Sequence, residues 1–127
     1  MPEPTAAEFL AADPYAAHLG AELLGTDPLT VAMTVRDDHC NFRGTAHGAV
    51  IYGIADVALS LVSNTAGTPA VMIDSHLVAS ARADVGDRLT ATSEQVTLGR
   101  TLGTYRITVT NQDERVVAAF TGTVIRR

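Results

Sequence analysis

Large apolar side chains alternate with small or polar ones through residues 29–36. Leu29, Val31, Met33 and Val35 fall on one side, and Thr30, Ala32, Thr34 and Arg36 on the other. A period of two predicts a strand with one buried face. The period is then lost. Residues 46–62 are apolar or small nearly all round, which predicts a buried helix rather than a surface one. Thr45 is a candidate N-cap, with the turn ending there or one residue later. The pattern runs to about Asn64, Gly67 stops it, and Pro69 cannot continue it. Period two then returns over residues 70–80, 88–98, 102–111 and 116–126, predicting four strands. The turn-like connections at 83–87, 99–101 and 111–115 predict an antiparallel meander. Upstream, residues 6–19 read as an amphipathic helical segment broken near Asp13-Pro14, and residues 21–24 as a short strand. A long helix that is apolar nearly all round must be wrapped, and a curved antiparallel sheet can wrap it. The pattern therefore predicts an α+β fold.

Composition narrows the picture. A chain of 127 residues makes one domain, residues 1–127, with 1–19 as an N-terminal helical segment. The core is aliphatic, because aromatics are only 5% and Trp is absent. The formal charge is −5, and all nine cations are Arg. With no basic tract, a nucleic-acid partner is not expected. One cysteine, Cys40, excludes an internal disulfide and fits a reducing, cytoplasmic setting. The opening residues are acidic rather than basic, unlike a secretory leader. The apolar run is short, carries an acid and lacks basic flanks, so no membrane span is expected.

That acid is Asp56. An ionised carboxylate among aliphatic side chains costs several kcal/mol unless it is paired or held in a hydrogen-bonded pocket. The structural alternative to a functional role is a salt bridge to an arginine, within the chain or across a subunit interface. Helical spacing puts Asp56, Ser60, Ser63 and Asn64 on one face, and Tyr52 extends that stripe one turn toward the N-terminus. The serines have a plain alternative in bonding back to carbonyls of the preceding turn. Gly48 lies in the first helical turn, where an unpaired N–H and the helix dipole suit a carbonyl oxygen that gains charge. Its simpler reading is a glycine that permits the turn. His47 caps, hydrogen-bonds or positions the loop, and Asn41 tethers the loop or touches substrate. His18, His39, His47 and His76 lack metal-ligand spacing, so no metal is expected. Cys40 has no base partner and reads as an inert buried thiol. Met72, Asp74 and His76 fall on one strand face, read as a wet edge.

The motif Asn41-Phe-Arg-Gly44-Thr-Ala-His47-Gly48-Ala49, with Gly53-Ile-Ala-Asp56 and Ser63-Asn64-Thr65-Ala-Gly67, closely resembles the hotdog-fold thioesterases of the phenylacetate degradation pathway. Residues 100–106 and 119–124 are similar to that family as well, so the likeness covers residues 19–126. It implies a hotdog fold, an antiparallel sheet around one long central helix. It implies hydrolysis of small or aromatic acyl-CoAs, (hydroxy)phenylacetyl-CoA foremost, with no cofactor because coenzyme A belongs to the substrate. By position, Asp56 resembles the catalytic carboxylate, as general base or nucleophile. Gly48 resembles the N–H that polarises the thioester carbonyl, and Asn41 and His47 match loop residues that shape the site. Ser63 and Asn64 match the far end of the helix, near the acyl pocket in the partner arrangement, and Gly99, Arg100 and Thr101 would meet the pantetheine and nucleotide. Tyr52 is a substrate-binding candidate from its place on the polar stripe. Ala49 departs from the family's second glycine, and the auxiliary Ser or Thr on the following strand has no assigned counterpart in Met72-Ile-Asp74-Ser75. The family assembles as homodimers, often paired to homotetramers, with each site drawn from two subunits. The alternatives are a hotdog enoyl-CoA hydratase pairing His47 with Asp56, and a non-catalytic acyl-CoA sensor.

Overall fold

The computed structural model describes residues 2–127. Two short helices open the chain. Helix α1 (Ala6–Ala11) starts at Thr5, which forms a reciprocal capping box with Glu8. Helix α2 (Pro14–Leu19) starts at Asp13, whose Oδ1 accepts from the N–H groups of Tyr15 and Ala16. Pro14 explains the break, since a proline fits the first helical position but not an interior one. Gly20 ends α2 in the left-handed conformation, at φ 71°.

Strands β1 (Glu22–Thr26) and β2 (Leu29–Thr34) form a hairpin. Helix α3 (Gly48–Asn64) follows. Then come β3 (Ala70–Ala79), β4 (Arg88–Leu98), β5 (Leu102–Thr110) and β6 (Val116–Arg126). All six strands join one antiparallel sheet in the order β1-β2-β4-β5-β6-β3. Helix α3 packs against β2 through β6 and buries Val50, Ile51, Ile54, Val57, Leu59 and Leu61 against Met33, Leu89, Ile107 and Phe120. This is the hotdog architecture that the sequence predicts.

The expected meander needs one correction. Strands β4, β5 and β6 are consecutive neighbours, but β3 pairs with β6 at the far edge rather than with β4. Residues 80–87 are therefore a crossover and not a hairpin turn. They span three strand spacings, ~14 Å, within the reach of eight residues, ~26 Å. Ala83 is buried beneath this crossover and accepts from the Ala46 N–H at 2.8 Å. Thr45 bridges Asp84. The crossover thus anchors the loop that leads into α3.

Candidate active site

The start of α3 is built by local hydrogen bonds. The Asn41 Oδ1 accepts from the Arg43 N–H at 2.9 Å, and the Asn41 N–H donates to the Thr45 carbonyl at 2.8 Å. Gly44 turns the chain at φ 80°, a value open to glycine at little cost. Asn41 is accordingly the loop's tether. The N-cap is His47 rather than Thr45, because its Nδ1 accepts the Ala49 N–H at 3.0 Å while Thr45 is drawn into the bridge to Asp84. Acceptance at Nδ1 leaves the ring proton on Nε2. Gly48 is then the first helical residue. Among the described residues its N–H has no acceptor, and the space where a Cβ would stand is open.

Below this loop, His39 is buried, with Nδ1 accepting the Arg36 N–H at 2.9 Å. Burial, then the nearby Arg36 charge, pushes its pKa below 6.5. Arg36 also donates to the His18 carbonyl at 2.7 Å, tying the loop to α2. Cys40 is half-buried rather than buried, with its thiol directed to the Arg36 carbonyl at 3.6 Å.

Asp56 lies two turns further along α3. It is half-buried, and among the described residues its carboxylate has neither a hydrogen-bond donor nor an ion-pair partner. Within one chain, the arginine pairing considered from the sequence does not occur among the described residues. Burial raises its pKa above 3.8, and the like charge of Asp13 on α2 raises it further. The carboxylate borders a cleft of about 360 Å³ lined by Leu59, Ser60, Ser63, Ala70, Val71, Met72 and Val124.

The expected polar stripe divides. Ser60 bonds back to the Val57 carbonyl at 3.1 Å, whereas Ser63 lines the cleft. Asn64 has other work. Its Nδ2 donates to the Ser60 carbonyl at 2.8 Å and the Ala70 carbonyl at 3.2 Å, and its Oδ1 accepts the Ala70 N–H at 2.9 Å. That amide clamps the end of α3 to the start of β3 and is spent on the backbone. Tyr52 does not border the cleft. Its hydroxyl shares a 2.9 Å hydrogen bond with Ser75, and its ring meets Phe120 edge to face at 5.3 Å. The expected face of Met72, Asp74 and His76 is also broken, since a register shift between Met72 and Asp74 turns Met72 and Ser75 inward and leaves Asp74 and His76 exposed.

Gly99, Arg100 and Thr101 form the β4–β5 turn at the C-terminal end of α3. Arg126 holds that turn, donating from its guanidinium to the Gly99 carbonyl and, at 2.9 Å, to the Ala66 carbonyl. Arg100 is exposed and has no ion pair among the described residues. Gly48 and Asp56 do not converge within one chain. Eight residues of helix separate them by ~12 Å along the axis, whereas a reacting carbonyl must lie ~3 Å from both groups. Among the described residues, no group of three His, Cys, Asp or Glu side chains is placed to hold a metal ion. No described helix is long and apolar enough to cross a membrane.

Sequence reasoning misses Leu59, Val124 and Asp13 as site residues. Leu59 had a signal, since it follows Asp56 by three on the same helical face. Val124 and Asp13 had none, because their placement depends on strand pairing and on α2 docking.

An unpaired acid on the buried helix of a hotdog fold is compatible with a thioester hydrolase, and the comparisons with known proteins supply the class. The Thioesterase superfamily model matches residues 43–118. The acyl-coenzyme A thioesterase PaaI of Escherichia coli is 31% identical over 87% of this chain and 80% of its own length. The solved structure of the E. coli PaaI protein superimposes with a TM-score of 0.93 at 29% identity, over 97% of this chain and 91% of that one. A structure of a point mutant of the phenylacetic acid degradation protein PaaI from Thermus thermophilus has a TM-score of 0.87 at 40% identity, over 91% of this chain and 100% of that one. A hypothetical thioesterase from Streptococcus pneumoniae, solved with coenzyme A, has a TM-score of 0.80 at 28% identity over 84% and 87% of the two chains. The chain belongs to the thioesterase superfamily, in its PaaI-like branch.

Proposed function

We propose that this single-domain chain hydrolyses small or aromatic acyl-CoA thioesters, (hydroxy)phenylacetyl-CoA foremost, to free acid and CoA. It works in the cytoplasm as a homodimer that pairs into a tetramer. The observation that carries this reading is the Asp56 carboxylate, unpaired at the edge of a largely apolar cleft and raised in pKa by burial and by Asp13. A carboxylate without donors keeps its lone pairs for a proton or a carbonyl carbon. It acts as general base on water or as nucleophile on the thioester. The free Gly48 N–H at the positive end of α3 suits the carbonyl oxygen, which gains negative charge on attack. The separation of these two groups supports a site shared between subunits, with the Gly48 of one chain facing the Asp56 of the other. Asn41 and His47 hold the loop that presents Gly48. The exposed Arg100 in the β4–β5 turn suits a CoA phosphate, with Gly99 and Thr101 beside it. Coenzyme A bound to the S. pneumoniae relative and the name of the E. coli relative support the substrate class.

The hydratase alternative asks His47 to work beside Asp56, yet its Nδ1 is committed to capping α3. CoA release from phenylacetyl-CoA, followed with a thiol reagent, is the test. Asp56→Ala is expected to lower kcat by about 10²–10⁴-fold while circular dichroism stays unchanged. Full activity in that variant would end the mechanism, and water addition to an enoyl-CoA would favour the hydratase.

A further inference from the structure

We propose, resting on the cleft beside Asp56 being the acyl pocket, that Ser63 selects acyl groups bearing a hydrogen-bonding substituent at the end remote from the thioester. Besides Ser63 itself, Asp56 and Ser60, the cleft walls are apolar: Leu59, Ala70, Val71, Met72 and Val124. Two other hydroxyls at this end of α3 are already used. Ser60 bonds to the Val57 carbonyl at 3.1 Å, and Thr65 to the Leu61 carbonyl at 2.8 Å. The Ser63 hydroxyl has no such bond and no other protein partner among the described residues, although the residue is only 2% exposed. Buried hydroxyls are normally satisfied, so one that faces a cleft unpaired awaits a partner from the ligand or from water.

The spacing fixes which part of a ligand it meets. Ser63 follows Asp56 by seven residues, which returns it to the same helical face ~10 Å further along the axis. A thioester carbonyl held at Asp56 therefore sends the far end of its acyl group toward Ser63. Leu59 and Val124, both deeply buried, contact the apolar part between. A site that hydrogen-bonds one substituent discriminates against the analogue lacking it, because the protein hydroxyl is then left buried without a partner. An aromatic ring with a hydroxyl opposite its acyl arm has the required chemistry.

The experiment uses the full chain carrying Asp56→Ala, so that ligands persist, and measures Kd by calorimetry for phenylacetyl-CoA and 4-hydroxyphenylacetyl-CoA. The hydroxylated thioester is expected to bind about three- to tenfold tighter. Adding Ser63→Ala should bring the ratio to about one, and Ser63→Thr should restore part of it. Adding Thr65→Ala should leave the ratio intact, since Thr65 lies outside the cleft lining and bonds the Leu61 carbonyl. Equal affinities in the Asp56→Ala chain, or a ratio that survives Ser63→Ala, would overturn the assignment. The two readings fail separately. Discrimination without hydrolysis of either thioester by the unmutated chain would sink the hydrolase and keep the Ser63 assignment. Hydrolysis of both without discrimination would sink Ser63 alone, and binding of neither would sink both.

Discussion

Asp56 illustrates what a half-buried carboxylate without a partner costs its own fold. Burial raises its pKa above 3.8, so the folded chain holds that proton more tightly than the unfolded chain does. Below pH 3.8 both states are protonated and the residue is neutral in its effect. As pH rises through 3.8 the unfolded chain ionises first, and the folded state loses stability until its own carboxyl has ionised. Asp56→Asn removes that penalty. It should raise Tm at pH 7 and leave it nearly unchanged near pH 3.5, while activity is lost. A lower Tm at pH 7 would mean that the carboxylate makes a stabilising contact in the assembled protein. Asp56 was legible from sequence because an acid in a long aliphatic run has few innocent explanations. Asn64 was misleading for the opposite reason. Its polar stripe position pointed to ligand, but nothing in the linear chain places the Ala70 backbone within reach of its amide.

Element by element, the sequence pattern located the α-helices and strands, with ends displaced by a residue or two, but gave no sign of the 3-10 turn at Asp37–His39. The ends moved where side chains and backbone competed, as at the start of α3, where His47 takes the cap and Thr45 is drawn to Asp84. Pairing was less legible. The sequence contains no record that β3 leaves for the far edge, since that follows from where its inward residues Met72 and Ser75 find Tyr52. The docking of α2 on α3 was equally hidden, and it has a chemical consequence. It brings the Asp13 carboxylate, already used to cap α2, close enough to raise the pKa of Asp56. Asp13→Asn keeps a good N-cap and deletes the charge. The acid limb of the kcat/KM profile, which reports the ionisation of Asp56 in the free enzyme, should then move to lower pH. An unmoved limb would leave burial as the whole cause of the shift.

At the scale of the molecule, Gly48 and Asp56 stand ~12 Å apart along one helix, so the mechanism proposed above needs a site shared between two chains. Gly48→Pro isolates the Gly48 half. Proline lacks the N–H but suits the first helical position, and the preceding His47, at φ −62° and ψ 141°, already has the extended geometry that a following proline requires. The variant should fold normally and lose about 10²–10³ in kcat, the usual cost of one oxyanion donor. Asp56→Ala isolates the other half. On the shared-site reading each variant alone should be nearly inactive, while a chain with Gly48 intact and a chain with Asp56 intact should rebuild one working site in a mixed dimer. Unfolding and refolding the two in equal amounts should restore about a quarter of wild-type activity, since half of the dimers are mixed and each mixed dimer has one complete site of two. Activity that stays at the level of the separate variants, with mixed dimers verified by mass, would place Gly48 and Asp56 in service of the same chain's substrate. The helix would then have to bend or unwind to bring them together.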